Sequence, residues 1–192
     1  MPRWEPGGRE RLVVAAVDLF TEQGYDATTV AEIAERAGVT RSTFFRHFTD
    51  KREVLVAGQE SLSRLLVEGV TEAPEGASPL QAVGEGLARA SSAMGPVNRE
   101  LGPRLRAAVA ASAELQERDA LKSVGMAVAM TEALVARGVP EVSAHLAAEL
   151  GVLAFKRGYA QWSEGDRDQD TPLAPHTAAA LAELVAASIS LT

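Results

Sequence analysis

Cysteine is absent from the 192 residues. That absence removes disulfides, thiolate metal sites and cysteine nucleophiles together, and it fits a reducing compartment. No uncharged apolar run approaches the ~20 residues that a membrane span needs. The first residues, Met1 to Gly8, lack the apolar stretch of a signal peptide. The chain is therefore expected to be soluble and cytoplasmic. Isoleucine is scarce as well, at two copies against 35 alanines. Leu and Val supply most of the remaining bulk, and no period-2 run bounded by hairpin turn residues occurs. With Ala and Leu both strong helix formers, the composition predicts an all-α fold.

At 46% hydrophobic and 23% charged residues, the chain has ordinary globular proportions. Its length suits one domain, or a small one joined to a larger, with roughly 70% of the unfolded surface available for burial. The net charge of −7 runs against phosphate binding, but its distribution is uneven. Between Arg36 and Arg52 stand Arg36, Arg41, Arg46, Lys51 and Arg52, opposed only by Asp50. One focused basic surface in an otherwise acidic protein suppresses non-specific adhesion.

Periodicity divides the chain into helices. Val13, Ala16, Val17 and Phe20 fall at i, i+3, i+4 and i+7, which predicts a helix from about Arg9 to Gln23 stopped by Gly24. Thr28 or Thr29 caps a second helix with an apolar stripe at Val30, Ile33, Ala34 and Ala37. After Gly38-Val39, Thr40 caps a short third helix ending near Phe48. A fourth, capped by Thr49 or Asp50, runs to about Val70. The loop composition of Glu72 to Pro79 marks a boundary. Beyond it, Gly- and Pro-containing breaks leave helices near 80–94, 97–112, 114–137, 141–163 and 175–190.

Residues 29–48 have the grammar of a helix-turn-helix: a short helix, a Gly-containing turn and a second short helix set at a steep angle. Ala34 and Ala37 permit a close crossing. In the second of the two, Phe44 and Phe48 share the inner face. Arg41, Ser42, Thr43, Arg46 and His47 occupy the other face or the N-terminal turn. That arrangement of short polar groups and cations suits a helix entering a major groove N-terminus first.

The stretch from Phe20-Thr21-Glu22-Gln23-Gly24-Tyr25 through Val30-Ala31-Glu32-Ile33-Ala34 and Gly38-Val39-Thr40-Arg41-Ser42-Thr43-Phe44-Phe45-Arg46-His47-Phe48 resembles the N-terminal domain of TetR-type transcriptional repressors. Lys51 belongs to the same pattern. The resemblance covers about residues 9–56. It implies a DNA-binding domain at 1–56, joined by a linking helix to an effector-binding and dimerisation domain at 57–192. It further implies a homodimer whose third helices read a palindromic operator, paired through the helices near 141–163 and 175–190.

By the same resemblance, Arg41, Ser42 and Thr43 are base readers, with Thr40 at the start of their helix. Thr28 or Thr29, His47 and Lys51 are phosphate contacts, the two threonines being helix caps first. The family commonly has a tyrosine, whose hydroxyl meets a phosphate, where this chain has Phe45. Phe45 keeps the packing but not that hydrogen bond, and Arg46 replaces part of the attraction. Small residues around Gly151 and Gly158 suit close crossing at a dimer interface.

The C-terminal helices predict an apolar pocket lined by Met94, Leu105, Ala108, Met126, Met130, Leu134, Phe155 and Tyr159, for a small hydrophobic effector such as a fatty acyl derivative. Effector binding would release the operator. No cofactor is called for. His145 and Glu149 lie i, i+4, but no third zinc-type ligand is near in sequence. Asp166, Asp168 and Asp170 imitate a calcium loop, yet Thr171 and Thr177 stand where it needs glycine and glutamate. Gly84-Glu85-Gly86 lacks the strand context of a dinucleotide fold. Enzymatic function is not expected. The competing reading is a helical small-molecule-binding or interaction protein that does not bind an operator, favoured by Phe45 and the negative charge.

Overall fold

The computed structural model describes residues 7–56, 58–165 and 171–191, and all regular secondary structure among them is helical, with no strand. The Asp166–Asp170 run weighed above lies outside the described residues. α1 spans Gly8–Gln23 and stops at Gly24, whose φ of 86° takes the chain out of the helix. α2 (Val30–Arg36) starts with a reciprocal cap: Thr29 Oγ1 accepts from the Glu32 amide, and the Glu32 carboxylate accepts from the Thr29 amide at 2.8 Å. The chain turns at Gly38, where φ is 68°. α3 (Arg41–His47) then begins under Thr40, whose Oγ1 accepts from the Thr43 amide.

The expected fourth helix is interrupted. Asp50 accepts the amides of Arg52 and Glu53 and nucleates a single 3-10 turn at Glu53–Val56. Gly58 then adopts a left-handed φ of 88°, which no α-helix accommodates, and α4 runs separately from Gln59 to Glu72. The turn belongs to the N-terminal core through the buried Val54. After it come α5 (Pro79–Ser92), α6 (Pro96–Ala111), α7 (Ala113–Ala136), α8 (Glu141–Glu164) and α9 (Leu173–Ile189). Each lies within a few residues of its expected position.

The chain forms two compact units: Met1–Ala57 with Pro103–Ala120, and Gly58–Gly102 with Leu121–Thr192. In the first, Leu12, Ala16, Leu19 and Phe20 of α1 meet Ile33, Ala34, Phe44 and Phe48, and Ala108 and Leu115 complete the cluster. The second is built on Leu62, Leu66, Val83, Leu87, Met126, Met130, Leu134, Phe155 and Trp162.

Glycine sets how closely its helices pack. A Cβ on Gly86 would stand 2.7 Å from the Leu66 carbonyl oxygen, and one on Gly69 would stand 2.6 Å from that of Glu85. The Gly84-Glu85-Gly86 run is thus part of the α4–α5 crossing. Gly158 lets α8 approach the backbone at Thr177, and Gly151 faces the side chains of Val83 and Met130. Both are buried within this unit, so they serve crossings inside one chain and not the intermolecular contact expected for them.

Candidate nucleic-acid interface

α3 is seven residues long, too short to be stable by itself in water. Its order comes from two phenyl rings. Phe44 is fully buried and Phe48 nearly so, with 5.5 Å between ring centroids. Anchored there, α3 turns Arg41, Ser42, Phe45 and Arg46 to solvent and leaves Thr43 and His47 half-buried. Thr40 and Thr43 share a hydroxyl–hydroxyl hydrogen bond of 3.0 Å at the helix start.

The five cations between Arg36 and Arg52 fall into two groups. Arg36 grips both Glu22 oxygens at 2.9 and 2.8 Å, and its guanidinium holds that carboxyl below the usual carboxylate range. Arg52 binds Asp50 and lies 3.4 Å from Glu114; its hydrogen bond holds the Asp50 carboxyl low in the same way. Lys51 donates from Nζ to the carbonyls of Tyr25 at 2.7 Å, Thr28 at 2.9 Å and, more weakly, Asp26 at 3.4 Å, while sitting 4.1 Å from the Tyr25 ring centroid. Among the described residues, no side-chain hydrogen bond or ion pair engages Arg41, Ser42 or Arg46. The basic window therefore resolves into three cations holding the unit together and two presented on α3.

Of the expected phosphate contacts, Thr29 is exposed at the tip of α2, with its hydroxyl donating to Glu32 at 2.7 Å. His47 lies half-buried at the end of α3. Thr28 is different: it is 1% exposed, and its hydroxyl donates to the Gly24 carbonyl. The structure brings Thr28 and Lys51 together as the clasp of the α1–α2 loop, with the donors of both directed at backbone carbonyls. Tyr25, not singled out in the sequence, completes the clasp. Its hydroxyl donates to Glu114 at 3.1 Å, and burial, with that carboxylate, raises its pKa. Thr28 bonds four positions back, but the partners of Lys51 and the Tyr25 hydroxyl lie 23 to 89 positions away, beyond any local pattern.

The eight expected pocket residues divide between the two units. Met126, Met130, Leu134 and Phe155 are buried in the second unit's core, with Met94 and Tyr159 packed against them. Leu105 and Ala108 are not with them; they belong to the first unit's cluster. A cleft of about 580 Å³ in the second unit is bordered by Met94 and Pro96 at the α5–α6 turn, Arg99 and Glu100 on α6, Trp162 on α8 and Pro172 before α9. That size falls within the range of small-molecule sites. Met94 is its one expected member; the others come from turns and helix ends, which apolar periodicity does not single out. Arg99 donates to the Trp162 carbonyl at 3.0 Å and lies over its ring. His145 and Glu149 are both exposed on α8, and among the described residues no group of three metal-ligating side chains occurs.

Residues 12–57 match the family model described as bacterial regulatory proteins, tetR family. Over 75 residues the chain is 40% identical to the HTH-type transcriptional regulator TcmR of Streptomyces glaucescens, covering 39% of this chain and 33% of that protein. The match thus spans about a third of the relative's length. The similarity in fold extends further. FadR from Bacillus subtilis, solved in complex with stearoyl-CoA, superposes over 91% of this chain and 96% of its own, at 19% identity and a TM-score of 0.57. FadR from Thermus thermophilus, a repressor in complex with lauroyl-CoA, covers 92% and 93% at 23% identity and a TM-score of 0.51.

Proposed function

We propose, from the match of residues 12–57 to the tetR family of bacterial regulatory proteins, that this chain is a cytoplasmic repressor of that family that binds a palindromic operator as a homodimer and leaves it when a small hydrophobic effector binds. The observation that carries this reading is α3: a helix anchored by Phe44 and Phe48 that presents Arg41, Ser42 and Arg46 without intramolecular partners. In the groove, Arg41, Ser42 and Thr43 meet base edges, and bidentate arginine–guanine pairing is the commonest such contact. Thr29, Arg46 and His47 take phosphates. Thr28 and Lys51 act from behind, holding the loop that positions the tip of α2.

A palindrome needs two heads about one DNA turn apart, ~34–36 Å. The resemblance assigns their pairing to α8 and α9. Val142, Leu146 and Leu153, exposed along the outer face of α8, support α8 as its centre, since exposed apolar side chains in a row mark interaction surfaces. The effector belongs to the second unit. The acyl-CoA ligands of the two FadR proteins support an acyl thioester or similar amphiphile, and the cleft beside Trp162 offers it an apolar wall with a cation at its edge. Release follows when the ligand prefers the arrangement that does not fit the operator, by as much as its affinities for the two arrangements differ.

Binding of the protein to the DNA upstream of its own gene, across a salt series and against a shuffled duplex, tests the reading. Tight, salt-steep and sequence-selective binding by a dimer supports it. Failure to prefer any duplex, there or among random sequences, refutes it.

A further inference from the structure

Of the four α3 side chains that face solvent, three are polar; the fourth, Phe45, is 51% exposed. A lone apolar residue on a surface ordinarily needs no explanation. This one stands four positions from Arg41, three from Ser42 and beside Arg46, so on the DNA-reading role proposed above it enters the groove with them. Its ring meets Phe44 edge-on, 5.5 Å between centroids at 84°, and Phe44 in turn packs on Phe48 in the core. The exposed ring is thus the outermost of three contiguous rings and is held in place from within.

A phenyl ring makes no conventional hydrogen bond to phosphate and cannot read the donors and acceptors of a base edge. In the major groove the apolar group that base pairs present is the thymine 5-methyl. We propose that Phe45 is a specificity-determining residue that packs against the 5-methyl of one thymine in each half-site. A hydroxyl-bearing residue at this position would be drawn toward phosphate; phenylalanine turns it into a reader of one base substituent. The inference rests on the DNA-reading role of α3.

The test starts from duplexes that the intact protein selects from a random library. Each thymine is then replaced by deoxyuridine, which removes only the methyl, and affinity is followed by fluorescence anisotropy. Loss of one buried methyl corresponds to about a fourfold weakening, or about fifteenfold when both half-sites are changed. Phe45→Ala and Phe45→Gln should bind thymine and deoxyuridine duplexes alike, whereas Phe45→Leu, which keeps a large apolar side chain without a hydroxyl, should retain the difference. Two polar or small replacements guard against one failing to fold, and far-UV circular dichroism reports folding directly. Wild-type protein indifferent to deoxyuridine at every position overturns the proposal, as does unchanged sensitivity in folded Phe45→Ala and Phe45→Gln. Those results leave DNA reading intact; selection of no duplex at all overturns both.

Discussion

Replacing Lys51 with methionine separates two roles that the resemblance and the structure assign to it. The substitution keeps an unbranched apolar stem of similar length and removes the ammonium. In the structure that ammonium makes two short bonds, to the Tyr25 and Thr28 carbonyls, and one longer bond to that of Asp26. It also lies over the Tyr25 ring. Two net hydrogen bonds at about 1 kcal/mol each, with a cation–π contact of about 0.5–1 kcal/mol, are partly offset by the rotamer freedom methionine regains. About 2 kcal/mol of destabilisation remains. For a protein of this size that lowers Tm by about 4–8 °C, measurable by calorimetry. A phosphate contact predicts the reverse pattern: Tm unchanged, and the log–log salt slope of operator binding flatter by about 0.9 for each protomer's lost contact. An unchanged Tm together with that flatter slope would refute the clasp argument. A lower Tm with the wild-type slope bears it out.

Further outcomes follow from other parts of the molecule. Arg41→Ala should cost about 1–3 kcal/mol on the preferred duplex and relax base preference, whereas Arg46→Ala should weaken all sequences alike and flatten the salt slope; quantitative binding to a panel of duplexes distinguishes them. Gly86→Ala forces a methyl against the Leu66 carbonyl and should cost about 1–3 kcal/mol. Gly84→Ala meets nothing closer than the Leu181 side chain at 3.9 Å and should stabilise by up to about 1 kcal/mol through helix propensity. Opposite Tm shifts in the two variants check the pair. Leu146→Glu, at a site 61% exposed in the single chain, should leave the fold intact while yielding monomers in sedimentation velocity; a persistent dimer would remove α8 from the interface.

Much of the fold was legible because its signals are local. Gly24 stops α1, Thr29 and Thr40 cap their helices, and the Gly- and Pro-containing breaks placed the C-terminal helices to within a few residues. The two faces of α3 were legible for the same reason: Phe44 and Phe48 lie four apart and share one side. What escaped is either conformational or long-range. Gly58 sits within a helical pattern, and only its left-handed φ shows that the helix breaks there. Periodicity found that Leu105 and Ala108 are inward-facing but carries no information about which core they enter. Lys51 has the residue type of a phosphate contact; its carbonyl partners lie more than twenty positions away.

The brevity of α3 has an evolutionary consequence. Of its seven residues, one is fully committed to the core, with Phe48 beside it; the solvent-facing positions touch little else in the unit. On the DNA-reading role proposed for α3, substitutions at Arg41, Ser42, Phe45 and Arg46 therefore alter what the helix reads at small cost to folding, as surface changes generally do. Drift in operator preference is structurally cheap for this head, while drift in its anchor is not: truncating Phe44 to alanine would cost about 3–5 kcal/mol. Descendants of this chain are free to diverge in the DNA they recognise long before they diverge in shape.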